Sequence, residues 1–287
     1  MLSNNFDEVT KAKSQYEGEY IVLKYGGSIA AKSEYVQNIA QQVEFLRHHI
    51  GAKPIIVHGG KEQADAALKA KGFNANDKDP VTGLRITSEK MMPIFDNALR
   101  VLNVKNVADM NDVSDTARFE GFAGYDHSIA LAESIAQCTG AITHINAEFF
   151  AQLHPSIVPL FYSACLNTKT VATESRLNVN ADDMAVAIAK NVGAKRLFLL
   201  TDVDAVLDEE SKPLKEICNE RANELIQNGS ANNGMIAKLR NAINAAKNLS
   251  CGKVVILNGQ KTDMMTQEIL RNQGVGTIVT YKRSLSP

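Results

Sequence analysis

The run Tyr20-Ile21-Val22-Leu23-Lys24-Tyr25-Gly26-Gly27-Ser28 carries an apolar, β-branched segment into one lysine and then two glycines. The β-branched start and the glycine stop favour a buried strand over a short helix. Pro54-Ile55-Ile56-Val57-His58-Gly59-Gly60 repeats the arrangement. Helix-periodic residues follow each segment, so each reads as a strand that delivers its carboxyl end onto glycines ahead of a helix. Backbone N–H groups left bare at such a turn suit an anion, and the first expectation is a phosphate site.

Outward from this pair the chain alternates. Val36, Ile39, Ala40, Val43 and Leu46 recur at helical spacing, and Gly51 and Pro54 close one βαβ unit. A second helix is predicted over 62–71, stopping at Gly72. Residues 74–87, rich in Asn, Asp and Pro, read as an exposed excursion. Met92, Phe95, Leu99 and Leu102 predict a helix over 88–102 that covers the sheet. From 104 to 172 the segments shorten into strands and hairpins with a helix near 147–153. Regular alternation then resumes: helix 181–190, strand 196–201, helix 235–248, strand 253–257 and a closing strand over 276–281. The fold class is α/β. No repeat or low-complexity linker separates the halves, so they are expected to share one continuous sheet. The division expected is an amino-terminal extension (1–17, weakly helical over 3–16), a first half (18–178) and a second half (179–287).

Composition bounds the function. With 287 residues, 45% apolar and 22% charged, the chain can bury a sizeable core. A formal charge of −1 offers no footprint for nucleic acid or an anionic membrane. No apolar run nears the roughly 18 residues that span a bilayer, and residues 1–19 lack the apolar core of a signal peptide. A cytoplasmic location is therefore expected. Cys138, Cys165, Cys218 and Cys251 are scattered without metal-like spacing and read as reduced thiols.

The P-loop and the Gly-x-Gly-x-x-Gly fingerprint are both absent. What remains is polar residues at strand ends and helix starts: Lys24 with Gly26-Gly27, His58 with Gly59-Gly60, Arg85, Asn178 to Asp182, Thr201-Asp202, and Asn233-Gly234-Met235 with Lys238. Each alone has a plain structural explanation. A lysine closing a buried strand more commonly snorkels at its edge, Asp182 could simply charge a helix start, and Arg85 could form a surface pair of little worth. Taken together they suit phosphoryl transfer between two anions, where cations and N–H dipoles hold donor and acceptor in line and offset charge on the moving group.

Seven segments carry a resemblance. They are Leu23-Lys24-Tyr25-Gly26-Gly27-Ser28, Ile56-Val57-His58-Gly59-Gly60, Gly83-Leu84-Arg85-Ile86-Thr87, Asn178-Val179-Asn180-Ala181-Asp182, Leu200-Thr201-Asp202-Val203, Gly234-Met235-Ile236-Ala237-Lys238 and Gly274-Val275-Gly276-Thr277. In this order, from about residue 18 to 281, the chain resembles the amino acid kinase family, and within it the branch that phosphorylates N-acetyl-L-glutamate. The resemblance implies a three-layer α/β/α sandwich around one largely parallel central sheet. It implies ATP-dependent phosphorylation of the side-chain carboxylate, an early step of arginine synthesis, with Mg²⁺ held by the nucleotide phosphates and no protein metal site. By matching position, Lys24 and Lys238 would offset charge on the phosphoryl group and Asp182 would orient them. Gly59, Gly60, Arg85, Asn178 and Asn180 would bind the acetylamino acid. Gly26, Gly27, Thr201, Asp202, Gly234 and Met235 would meet the phosphates and nucleotide. A homodimer is implied, or a homohexamer joined through the amino-terminal helix. Arginine is implied as an effector, through Glu268 and the 274–277 turn.

The chain departs from the family pattern mostly at glycines. Lys61 replaces the third glycine after His58, Gly124-Tyr125-Asp126-His127 replaces a Gly-Lys-Asp-Gly turn, Ala205 replaces a nucleotide-side glycine, and Asn233 opens the usual Gly-Gly-Met. Each change is expected to add bulk near a ligand. A non-catalytic amino-acid-binding regulator, or a kinase for a related carboxylate, therefore stands as the alternative.

Overall fold

The computed structural model describes residues 2–79, 84–113, 121–126, 129–168, 175–231, 233–249, 253–271 and 275–282, with backbone alone for 2–5, 233, 234 and 237. Gly83, His127, Cys251 and Gly274 lie outside the described residues.

The first part of the chain forms α1 (Leu2–Tyr16), β1 (Tyr20–Tyr25), α2 (Gly27–Ala30), α3 (Ser33–His48), β2 (Lys53–His58), α4 (Lys61–Ala70) and α5 (Met92–Asn111). Next come β3 (Gly121–Tyr125), β4 (Ala130–Ala136), β5 (Thr139–Ile145), α6 (Ala147–Gln152), β6 (Ile157–Tyr162), β7 (Ala164–Asn167) and β8 (Arg176–Asn178). The remainder forms α7 (Ala181–Asn191), β9 (Arg196–Thr201), β10 (Val206–Leu207), β11 (Pro213–Leu214), β12 (Glu216–Cys218), α8 (Asn219–Gln227), α9 (Asn233–Asn248), β13 (Lys253–Asn258), α10 (Met264–Arg271) and β14 (Thr277–Thr280).

One eight-stranded sheet runs β12-β14-β13-β9-β1-β2-β6-β3. It is parallel except at β13–β14, where the direction reverses. β1 lies at its centre, pairing with β2 on one side and β9 on the other. Alternate residues feed opposite layers. Val22, Ile55, Val57, Leu197 and Leu199 pack with Met184 and Ile188 of α7 and Leu239 and Ala242 of α9. Ile21, Leu23, Ile56, Phe198 and Val255 pack with Val36, Ile39 and Val43 of α3 and Ile269 of α10. Each such Val, Leu, Ile, Met or Phe, fully buried, stabilises the fold by about 1.5–3 kcal/mol. The α/β/α sandwich and its largely parallel sheet are as expected. A small four-stranded unit, β4-β5-β8-β7, closes on itself beside the sheet.

Two expectations need correction. The helix read over 88–102 runs to Asn111, because its inner face continues through buried Asn103 and Asn106 before Met110, and asparagines break an apolar pattern. The excursion over 74–87 is not exposed at its end, since Arg85 and Thr87 are buried. Thr87 N–H donates to Thr139 Oγ1 at 2.9 Å, and that hydroxyl donates to Arg85 O at 2.7 Å. This buried hydroxyl straps the segment to the β4–β5 hairpin.

Candidate active site

The register pairs Lys24 with Val57 and Tyr25 with His58, so both glycine turns leave the sheet side by side. Gly59 N–H donates to Tyr25 O at 2.9 Å. A Cβ on Gly60 would fall 2.2 Å from Leu99 Cδ2, and one on Gly27 would fall 3.3 Å from Gly60 Cα. These two glycines permit close packing of turn on turn and turn on helix. Gly26 differs, because a Cβ there would meet nothing within 4 Å, so its backbone fronts open space. Gly59 has ordinary contact, 3.5 Å to Ala181 Cβ.

His58 secures the second turn from beneath. Asn103 Nδ2 faces the carbonyls of Tyr125 and Leu160, leaving its Oδ1 to accept from His58 Nε2 at 3.2 Å. Burial pushes this imidazole down to about 4, so it is neutral in ordinary buffers.

Two lysines line a common cavity, one near the end of β1 and one on α9, each with its own carboxylate. Lys24 Nζ lies 2.7 Å from Asp182 Oδ1, both side chains being largely buried. Asp182 sits in the first turn of α7, where Asn180 caps the helix by accepting from Asp182 N–H at 2.7 Å. Lys238, on α9, donates to Asp202 Oδ1 at 2.7 Å, and Thr201 Oγ1 donates to the same oxygen at 2.9 Å. The Lys238 hydrogen bond, followed by that of Thr201, holds Asp202 below the usual carboxylate range. Asp182 therefore orients Lys24 but not Lys238. Its second oxygen accepts from Asn241 Nδ2 at 2.8 Å instead.

On the other side stands Arg85, paired with Asp65 and 5.7 Å from the Phe95 ring centroid. Burial lowers its guanidinium below the usual value. Asp65 also holds Lys61 Nζ, which is well exposed. Asn178 Nδ2 donates to Thr87 Oγ1 at 3.0 Å, tying β8 to the Arg85 segment.

These groups line two cavities that meet at Lys24, Gly26 and Asp182. One, of about 360 Å³, is lined also by Gly27, Gly59, Gly60, Lys61, Arg85, Asn178 and Asn180. The other, of about 260 Å³, is lined also by Ser28, Thr201, Asp202, Lys238 and Asn241. Met235 lines neither and packs against the core, while the backbone of Gly234 lies in the first turn of α9. Of the departures from the family pattern, Lys61 lines the larger of these two cavities, whereas Tyr125 and Ala205 line neither. Tyr125 packs edge-on against Phe149 at 5.0 Å, and Ala205 is buried. The bulk expected of those two falls in the core. Asp65 and Asn241 were missed, since one acid and one amide on helices carry no sequence signal.

Two chambers at the carboxyl ends of the central strands thus meet at a lysine–carboxylate pair, with a second lysine lining the smaller one. The model of the amino acid kinase family matches residues 19–258. The acetylglutamate kinase of Bartonella bacilliformis is 33% identical over 280 residues, covering 92% of this chain and 90% of that enzyme. That of Pelagibacter ubique is 30% identical, covering 95% and 92%. Among solved structures, N-acetylglutamate synthase from Neisseria gonorrhoeae, complexed with coenzyme A and N-acetyl-glutamate, superposes with a TM-score of 0.82 at 17% identity, over all of this chain. This chain spans 65% of that longer protein. Carbamate kinase from Giardia lamblia bound to AMP-PNP superposes with a TM-score of 0.67 at 14% identity, covering 92% of this chain and 99% of that one. The chain belongs to the amino acid kinase family, and it is a phosphotransferase with a carboxyl group as acceptor.

Proposed function

We propose that the chain transfers the γ-phosphoryl group of ATP to the side-chain carboxylate of N-acetyl-L-glutamate, giving N-acetylglutamyl 5-phosphate and ADP for arginine synthesis in the cytoplasm. The observation that carries this is the meeting of the two cavities at Lys24 and Asp182, with Lys238 across the smaller one. The acceptor lies in the larger cavity, whose lining of Lys24, Lys61, Lys78 and Arg85 against Asp182 suits a dianion. Arg85 and Asn178 grip the acetylamino acid, the guanidinium fork matching a carboxylate. A carboxylate oxygen attacks phosphorus while the bond to the ADP oxygen breaks, and no covalent enzyme intermediate forms. Lys24 offsets charge from the acceptor side and Lys238 from the donor side. The Lys238–Asp202 pair is well exposed, and such a pair contributes only about 0–1 kcal/mol, so a phosphate oxygen can replace Asp202 at small cost.

The open backbone at Gly26 and two lysines, Lys24 and Lys238, fit a polyphosphate in the smaller cavity. Mg²⁺ carried on the phosphates supplies further charge neutralisation there. On this reading 18–178 forms the acceptor half and 179–287 the nucleotide half.

A homodimer fits the exposed Val101 and Val104 on α5 beside the edge strand β3. Exposed Phe6 on α1 offers a contact for a hexamer. Arginine as effector fits buried Glu268, whose Oε2 accepts from Val275 N–H at 2.8 Å while Oε1 has no hydrogen-bond partner among the described residues. A neighbouring structure, the gonococcal synthase, has been solved complexed with L-arginine.

The test is coupled ADP release with N-acetylglutamate, N-acetylaminoadipate, glutamate, aspartate and carbamate, with and without arginine. Turnover on N-acetylglutamate is expected. Binding without turnover on any of them would leave the regulator reading standing in its place.

A further inference from the structure

We infer that Asn241 is a positioning residue, holding the Asp182 carboxylate so that its other oxygen faces Lys24, and thereby tying the helix that carries Lys238 to the strand that carries Lys24. This rests on the phosphoryl-transfer reading of the site.

Asp182 can only accept, so the amide nitrogen of Asn241 must be the group turned toward Oδ2, at 2.8 Å. Lys24 Nζ takes Oδ1 at 2.7 Å. A carboxylate anchored on one oxygen alone can rotate about its terminal bond, a torsion that is broad and soft. Held on both oxygens from opposite sides, it cannot, and the lysine is fixed with it. Asn241 follows Lys238 by three residues on α9, which places both on the same helix face over the smaller cavity.

Charge explains why an amide suits this position. The groups around Asp182 are Lys24 on β1, Asp183 beside it on α7, and Lys238 with its partner Asp202 across the cavity. A cation at 241 would compete with Lys24 for the carboxylate, and an anion would repel it. A neutral donor orients Asp182 while leaving its full charge to Lys24. The helices that bring the two residues together share one core, with Leu239 and Ala242 of α9 packed beside Met184 and Ala185 of α7. The contact is thus set by buried packing, and the donor and acceptor sides of the site are held to a common spacing.

The experiment compares wild type with Asn241→Leu and Asn241→Asp by ADP release across pH and by thermal midpoint across pH. Asn241→Leu is expected to lower kcat about 10-fold with both KM values within about 2-fold of wild type, since orientation and not affinity is lost. Asn241→Asp puts two carboxylates within hydrogen-bond reach, so the acid limb of kcat/KM should move up by about one pH unit. Its thermal midpoint should fall relative to wild type as pH rises from about 4.5 to about 7, the folded pair holding a proton that the unfolded chain releases earlier. Unchanged kcat and an unmoved acid limb in folded variants would overturn the inference. Should wild type turn over none of the acceptors, the functional reading fails by itself, and the midpoint comparison still decides the contact: a pH-independent difference between Asn241→Asp and wild type overturns it.

Discussion

On the proposed function a migrating phosphoryl group passes Lys24, Asp182 and Lys238, and the environments of these three side chains differ. Lys24 is enclosed with Asp182, whereas Lys238 is a third exposed and paired with a mostly exposed acid. Asp182→Ala strands Lys24, and Lys238→Ala removes the donor-side cation, so each should lower kcat by at least about 10²-fold in steady-state assays. Wild-type rates in either would place the site elsewhere. Lys61 is the departure that reaches the acceptor cavity, and Asp65 serves both it and Arg85. Lys61→Gly removes one cation from that wall and leaves Asp65 to Arg85 alone. The KM for an anionic acceptor should rise several-fold while the KM for ATP stays put; the reverse split would show that Lys61 faces the nucleotide. His58 makes a prediction about stability. Its pKa falls from 6.5 in the unfolded chain to about 4 when folded. Between those values the unfolded chain binds a proton that the folded one does not, so stability drops as pH falls through that window. In His58→Gln the thermal midpoint should be lower at pH 7 but less steep between pH 6.5 and 4.

At the scale of elements, α5 illustrates what a sequence can and cannot disclose. Its outer turns follow from Met92, Phe95 and Leu99, but its last two turns rest on Asn103 and Asn106, which look like surface residues in an apolar tally. Asn106 donates to Ala30 O at 2.8 Å and accepts from Tyr25 Oη at 2.9 Å, pinning the helix to the end of β1. Asn106→Leu would leave both groups buried and unpaired. At about 1–3 kcal/mol for each such group, the unfolding midpoint should fall by several degrees, and a chemical-denaturation series would read it. The strands were legible where they are continuous apolar runs, as β1, β2, β9 and β13 are. The short β10, β11 and β12 were not, because two or three residues establish no period. The site divides the same way. Residues at strand ends were foreseeable from glycines and charges in order, but Asn241 becomes meaningful only once α9 is laid beside α7.

For the whole molecule, the expectation is a dimer. β3 ends the sheet and α5 beside it exposes Val101 and Val104, two apolar side chains one helical turn apart that a second copy would cover. Light scattering should give twice the chain mass, and Val101→Asp with Val104→Asp should shift it toward a monomer; a wild-type monomer at micromolar concentration would refute this surface. α1 tells a different story at its two ends. Tyr16 and Ala12 are sunk into the core while Phe6 stands 73% exposed, so the helix is docked at its root and available at its tip. The central position of β1 has one more implication. Because it is bonded to β2 on one flank and β9 on the other, the two proposed halves share one floor. Severing the gene between residues 178 and 179 would yield two polypeptides, one ending with β1 unpartnered on its β9 side and the other with β9 unpartnered on its β1 side. Each raw edge would invite aggregation, so the pieces should recover activity only when co-expressed and annealed along that seam.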